Sequence, residues 1–124
     1  MGTQSTKKVL FPVGNCDQQS IADAATSTVT IHDTYTQLRK TGGFSAAVTG
    51  LSLQAHPELR KGAVVQIRIE QGATGRNVSF GSAGSTIVAP NLTGVANDID
   101  VLTLEWDGSA FKATDNWEKV VDAG

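Results

Sequence analysis

The chain has 124 residues, 40% hydrophobic and 18% charged, with ten basic and twelve acidic side chains for a formal net charge of -2. That length holds one domain, and the composition is that of a folded chain rather than a disordered one. The acidic balance argues against a phosphate-backbone binder, no apolar run approaches the roughly 20 residues of a bilayer-spanning helix, and a single cysteine, Cys16, excludes an intrachain disulfide and a Cys-rich zinc module.

Val, Ile and Thr number 32 against 8 Leu and 1 Met. β-branched side chains lose rotamer freedom in helices and fit a pleated surface, so strands are expected throughout. Residues 1–27 stand apart as an N-terminal arm or docking segment, and 28–124 form the predicted β-domain. In the first segment Met1 to Lys8 is polar, and Val9, Leu10, Phe11, Pro12 and Val13 make an apolar cluster too short for the core of a secretory signal. Gly14 to Ser27 is small and polar, with room for one helical turn around Gln18 to Ala25.

From Thr28 the pattern becomes regular. Thr28 to His32 alternates, with Val29 and Ile31 on the buried face. Tyr35 to Thr41 is polar and ends in Gly42-Gly43, a turn signal. Phe44 to Leu53 changes apolar phase near Gly50, as a β-bulge causes. His56 to Gly62 reads as a loop with one turn of helix. Ala63 to Glu70 is the strongest strand, with Ala63, Val65, Ile67 and Ile69 inward. Gln71 to Gly75 is predicted to reverse the chain, so that Arg76 to Phe80 returns as a hairpin partner, and Arg76 at the turn exit reaches a carbonyl or carboxylate. Thr86 to Ala89 reads as a short edge strand ended by Pro90. Asp98 to Trp106 puts Asp100, Leu102, Leu104 and Trp106 on one side and Ile99 and Val101 on the other, as a central or covered strand does. Asp107-Gly108 predicts a type I′ hairpin to Phe111. Short strands at this spacing, separated by turn residues, predict a small all-β sandwich, jelly-roll-like in outline.

Three stretches in order carry a resemblance. They are Ile69 to Phe80 with Gln71-Gly72-Ala73-Thr74-Gly75-Arg76 at its centre, Val95-Ala96-Asn97-Asp98-Ile99-Asp100-Val101, and Leu104-Glu105-Trp106-Asp107-Gly108-Ser109-Ala110-Phe111. This resembles a pattern of tailed-phage virion structural proteins: head fibre, capsid decoration and tail-associated β-sandwich domains. The match spans roughly residues 44–113. The resemblance implies a non-enzymatic virion protein that binds the particle and self-associates, with a homotrimer as the expected assembly. Capsid or other virion proteins would be its partners, and the virion, assembled in the host cytoplasm, its location.

On the residues themselves, Gly72, Gly75, Arg76, Asp107 and Gly108 are read as fold-specifying turn positions. Val9, Leu10, Phe11, Trp106 and Trp117 are the candidate interaction residues. A carbohydrate-binding module is the alternative function, with Trp106, Trp117 and Tyr35 as rings on which a host-surface glycan would stack. Catalytic and cofactor readings find no support: His32 and His56 lack the spacing of a metalloprotease helix, no serine sits in a nucleophile elbow, and Gly72-x-x-Gly75 and Gly81-x-x-Gly84 open no helix. Asp98 and Asp100 share a face, but Ca²⁺ takes six to eight oxygens and no complete set is evident, so no metal is expected.

Overall fold

The computed structural model describes residues 16–120. Among these, the chain forms ten strands and no helix: β1 (Asp17–Ser20), β2 (Thr26–Ile31), β3 (Tyr35–Lys40), β4 (Val48–Ala55), β5 (Val64–Glu70), β6 (Val78–Phe80), β7 (Thr86–Val88), β8 (Ile99–Trp106), β9 (Ala110–Ala113) and β10 (Glu118–Val120). The fold is all-β, in two mixed or parallel sheets. The larger sheet has the order β1-β3-β5-β8-β9-β7, with β10 also paired to β8; the smaller is β2-β4-β6.

The connectivity is a coil. From β1 to β7 each strand lies in the sheet its predecessor does not, and β1–β3, β3–β5, β2–β4 and β4–β6 are all parallel pairs. Parallel neighbours require a crossover, ordinarily a helix. Here the crossover is itself a strand of the opposite sheet, which a chain rich in β-branched residues and interrupted by glycines can supply. β8 then reverses against β5 along its whole length, and β9 returns antiparallel on β8. This order differs from the antiparallel Greek keys that build a jelly roll.

One core lies between the sheets. Leu38, Val65, Ile67, Ile69, Leu102, Leu104 and Phe111 of the larger sheet join Val29, Ile31, Leu51, Leu53 and Val78 of the smaller one in a single buried cluster. The inward rows expected at Val29/Ile31 and at Ala63/Val65/Ile67/Ile69 are all buried, and on β8 the buried side is that of Leu102, Leu104 and Trp106. The phase change at Gly50 is a register shift of β4 against β6 between Val48 and Leu51.

Three local expectations are corrected and one strand is added. Gln18 to Ser20 belongs to β1 and pairs in parallel with β3, so no helical turn forms there. Tyr35 to Lys40 is an interior strand despite its polarity: Thr36, Gln37 and Leu38 are buried, and Gln37 Nε2 donates to Gln66 Oε1 on the neighbouring strand at 2.8 Å. His56 to Gly62 contains a turn closed by the Leu59 amide on the His56 carbonyl, not a helix. The predicted hairpin of Ala63–Glu70 with Arg76–Phe80 does not exist, because β5 and β6 lie in different sheets.

Residues 71–77 therefore carry the chain across the layers. Gln71, itself buried, fastens this crossing: its Oε1 accepts from the Arg76 amide at 3.0 Å and its Nε2 donates to the Arg76 carbonyl at 3.2 Å. Gly75 is required by proximity, since a Cβ there would stand 2.5 Å from the Gly94 carbonyl oxygen.

Candidate functional site

The coil has two different ends. At one, β5 is covered by β8, which is covered in turn by β9 and β10. At the other, β1 and β2 each have one hydrogen-bonded neighbour among the described residues, β3 and β4 respectively, so within these residues the first coil presents an open edge in both sheets. Edges of this kind are the surfaces on which sheets accept another strand, and proteins usually blunt them with lysine, proline or a bulge. β2 has none of these. Its sequence, Thr26-Ser27-Thr28-Val29-Thr30-Ile31, is uncharged and its pairing with β4 is regular over all six residues.

The direction of the open groups follows from the closed ones. The Ala25 carbonyl accepts from Thr49 and Gly50, and the Ile31 carbonyl accepts from His56. Alternation along a strand then turns the backbone groups of Thr26, Thr28 and Thr30 away from β4. Among these, the Thr30 carbonyl takes the Gln19 side-chain amide at 3.1 Å. Ser27 Oγ, on the other phase, is buried and has no hydrogen-bond partner among the described residues. An open groove of about 390 Å³, floored by Thr26, Thr28, Gly50, Ser52, Gly81 and Ser82, lies beside the same strand and has no charged residue in its lining.

The turn after β2 gathers Asp17, His32 and Asp33. His32 Nε2 lies 3.5 Å from Asp17 Oδ2, and its Nδ1 lies 3.6 Å from Asp33 Oδ2. The two carboxylates thus face opposite nitrogens of one ring. A cation bound through one imidazole nitrogen would have to draw the second carboxylate around the ring, and Asp17 Oδ2 is already taken by Gln19 Nε2 at 2.7 Å. As arranged, the cluster pins β1 to the end of β2. Sequence spacing gives no sign of it, because Asp17 and His32 meet only through the alternation of sheets.

Asp107 accepts from the amides of Ser109 at 2.7 Å and Ala110 at 2.8 Å, and Lys112 Nζ stands 2.9 Å from its other oxygen. The lysine first and the two amides next hold its carboxyl down at about 2. Only Gly108 in this turn has positive φ, 98°, so the hairpin forms without the type I′ geometry, which needs two such residues. Trp106 is 8% exposed and packs on Phe111 with ring centroids 4.7 Å apart. Trp117 is half-buried, stacks on Phe80 and donates its indole N–H to the Pro90 carbonyl at 2.9 Å. Tyr35 is 38% exposed.

Gly72 and Gly75 sit in the interlayer crossing, and neither has positive φ. Arg76 Nε is buried without a hydrogen-bond partner among the described residues. Asp98 is paired to Lys119 at 3.0 Å, while Asp100 is buried and takes Gln71 Nε2 at 3.4 Å. Burial, and secondarily the Asp98 charge, raises the Asp100 carboxyl above its ordinary value against the opposing Gln71 bond. Val9, Leu10 and Phe11 lie outside the described residues. No helix among the described residues is long and apolar enough to cross a membrane. No family model, curated protein or solved structure matches the chain.

Proposed function

We propose that this chain is a non-enzymatic structural protein of a tailed-phage particle, a capsid decoration or head fibre protein that binds the virion and associates with its own copies. The observation that carries the reading is the sheet edges left at the first coil, above all the uncharged, regularly paired six-residue edge of β2. Such edges suit attachment through backbone pairing, which needs no reactive pocket. The resemblance of residues 44–113 to virion proteins supplies the particle, and the trimeric habit of those proteins makes a homotrimer the proposed assembly. Trp106 being turned into the core leaves the glycan-binding alternative with less ring surface than the sequence suggested.

The test is to purify particles made by the genome that encodes the chain and to assay them by mass spectrometry and immunogold labelling. The proposal expects the chain at a fixed stoichiometry with gold on the head. Particles that lack the chain overturn it. Sedimentation equilibrium of the purified chain tests the assembly separately: a trimer is expected, and a monomer throughout the micromolar range contradicts it.

A further inference from the structure

The edge of β2 is complementary to itself. We propose that it pairs with β2 of a second copy of the chain, antiparallel and about a two-fold axis at Thr28, so that Thr26 of each copy lies opposite Thr30 of the other.

Phase and length fix the register. Thr26, Thr28 and Thr30 turn their amides and carbonyls away from β4, whereas those of Ser27, Val29 and Ile31 face it. In an antiparallel pair, opposite residues whose groups face each other exchange both backbone bonds. A two-fold centred on Thr28 sets Thr28 opposite its own copy and Thr26 opposite Thr30, which engages all three outward residues of each strand. A centre displaced along the strand leaves at least one of them without a partner. The Thr30 carbonyl already accepts from Gln19 Nε2 at 3.1 Å, and its second lone pair serves the Thr26 amide of the second copy.

The side chains agree with this register. Thr26, Thr28 and Thr30 are exposed on one face, so every pair there is threonine on threonine, a favourable cross-strand combination. On the other face Ser27 meets Val29, and the buried face of one smaller sheet runs on into that of the other. β2 carries no charge, so the two strands meet without like charges opposite each other. The acidic side chains around it are engaged within their own copy. Asp23 accepts from the Ser45 amide at 3.0 Å and hydroxyl at 2.8 Å, while Asp17 and Asp33 face His32.

Size sets where such a contact acts. A six-residue strand from each copy is far less than the roughly 20–30 residues a side of a stable interface. The pairing therefore acts between copies that the assembly has already gathered. A two-fold contact is isologous and forms no part of a three-fold ring, so it joins neighbouring trimers. The inference rests on the reading of the chain as a self-associating particle protein and names the surface that is used.

Thiol cross-linking of the full chain at high concentration tests it, with the shortest bis-methanethiosulfonate reagent and a Cys16→Ser background. Opposite residues of a hydrogen-bonded pair have Cα atoms about 5.5 Å apart, whereas Thr26 would stand about 14 Å along the strand from its own copy. The proposal expects Thr28→Cys to form a covalent dimer roughly tenfold or more faster than Val95→Cys, an exposed site outside the strand. It also expects Thr26→Cys and Thr30→Cys to link to each other when mixed, and neither to link by itself. Thr28→Cys linking no faster than Val95→Cys would overturn the pairing, and so would Thr26→Cys or Thr30→Cys linking alone. Particles that carry the chain while Thr28→Cys stays unlinked overturn this pairing and leave the virion reading standing.

Discussion

Replacing Gly75 by alanine separates the coil from the simpler hairpin that its sequence suggests. Gly75 does not occupy the left-handed region, so alanine is conformationally allowed there. In an exposed hairpin turn such a change would stabilise the protein by about 0.4–1 kcal/mol, through the lower entropy of the unfolded chain. In the coil the new Cβ would lie 2.5 Å from the Gly94 carbonyl oxygen and 2.8 Å from Val95 Cα. Both are backbone atoms, so the segment crossing from β5 to β6 must move away from the one leading into β8. Overpacking of this kind costs about 1–3 kcal/mol, occasionally more. With a urea m-value of about 1–3 kcal/mol/M, Gly75→Ala should lower the unfolding midpoint by roughly 1 M, read by tryptophan fluorescence. Gly42→Ala is the control for backbone strain alone, because its φ is +77° but nothing lies within 4 Å of its Cβ position. A Gly75→Ala protein as stable as the wild type, or more so, would refute the interlayer crossing.

Phe111→Ala should cost about 3–5 kcal/mol, since the ring is fully buried against Trp106, whose emission should shift to the red; Val88→Ala, at an exposed site, should stay within about 0.5 kcal/mol in the same urea titration. Gln71→Leu should lose about 1–3 kcal/mol by chemical denaturation, because it strips the Arg76 amide and carbonyl and the Asp100 carboxylate of their partner together. Asp107 has a folded-state value of about 2, below its ordinary value of 3.8, so its stabilisation is present above that ordinary value and fades as pH falls from about 4 to 2; Asp107→Asn should remove this part of the acid slope in a pH series of thermal melts. Asp100 has the opposite sign: its folded value is raised, so stability falls as pH rises from the unfolded value through the folded one. Asp100→Asn should therefore stabilise the protein at neutral pH, with the gain vanishing below about pH 3.

Periodicity makes the buried rows Val29/Ile31 and Val65/Ile67/Ile69 legible, because they alternate strictly, while Asp98 to Trp106, apolar on both sides, leaves its inward side open. The Gly50 irregularity was legible for the same reason. Partnership between strands was not. Alternation says which face of Ile69 and of Val78 is inward, and that would be equally true if they faced each other within one sheet or across two. Glycines at 72 and 75 are compatible with a reversal and with a close approach, and only the position of Gly94 decides between them. β3 carries no apolar row to mark it, because its burial comes from lying between β1 and β5, where Gln37 Nε2 donates to Gln66 Oε1 and Gln37 Oε1 has no partner among the described residues. Of the candidate site, the aromatic residues were visible as residue types, but whether Trp106 faced solvent or core depended on the strand it fell in. The open edge of β2 could not be seen at all, since an edge is defined by a neighbour that is missing.

The account depends on sheets filled alternately by successive strands. Backbone nuclear Overhauser contacts test this directly. Parallel-strand contacts are expected between Val29 and Leu53 and between Leu38 and Ile67, the paired positions of β2–β4 and β3–β5. Contacts joining Ile69 or Glu70 to Val78 as an antiparallel ladder, with those parallel contacts missing, would contradict it.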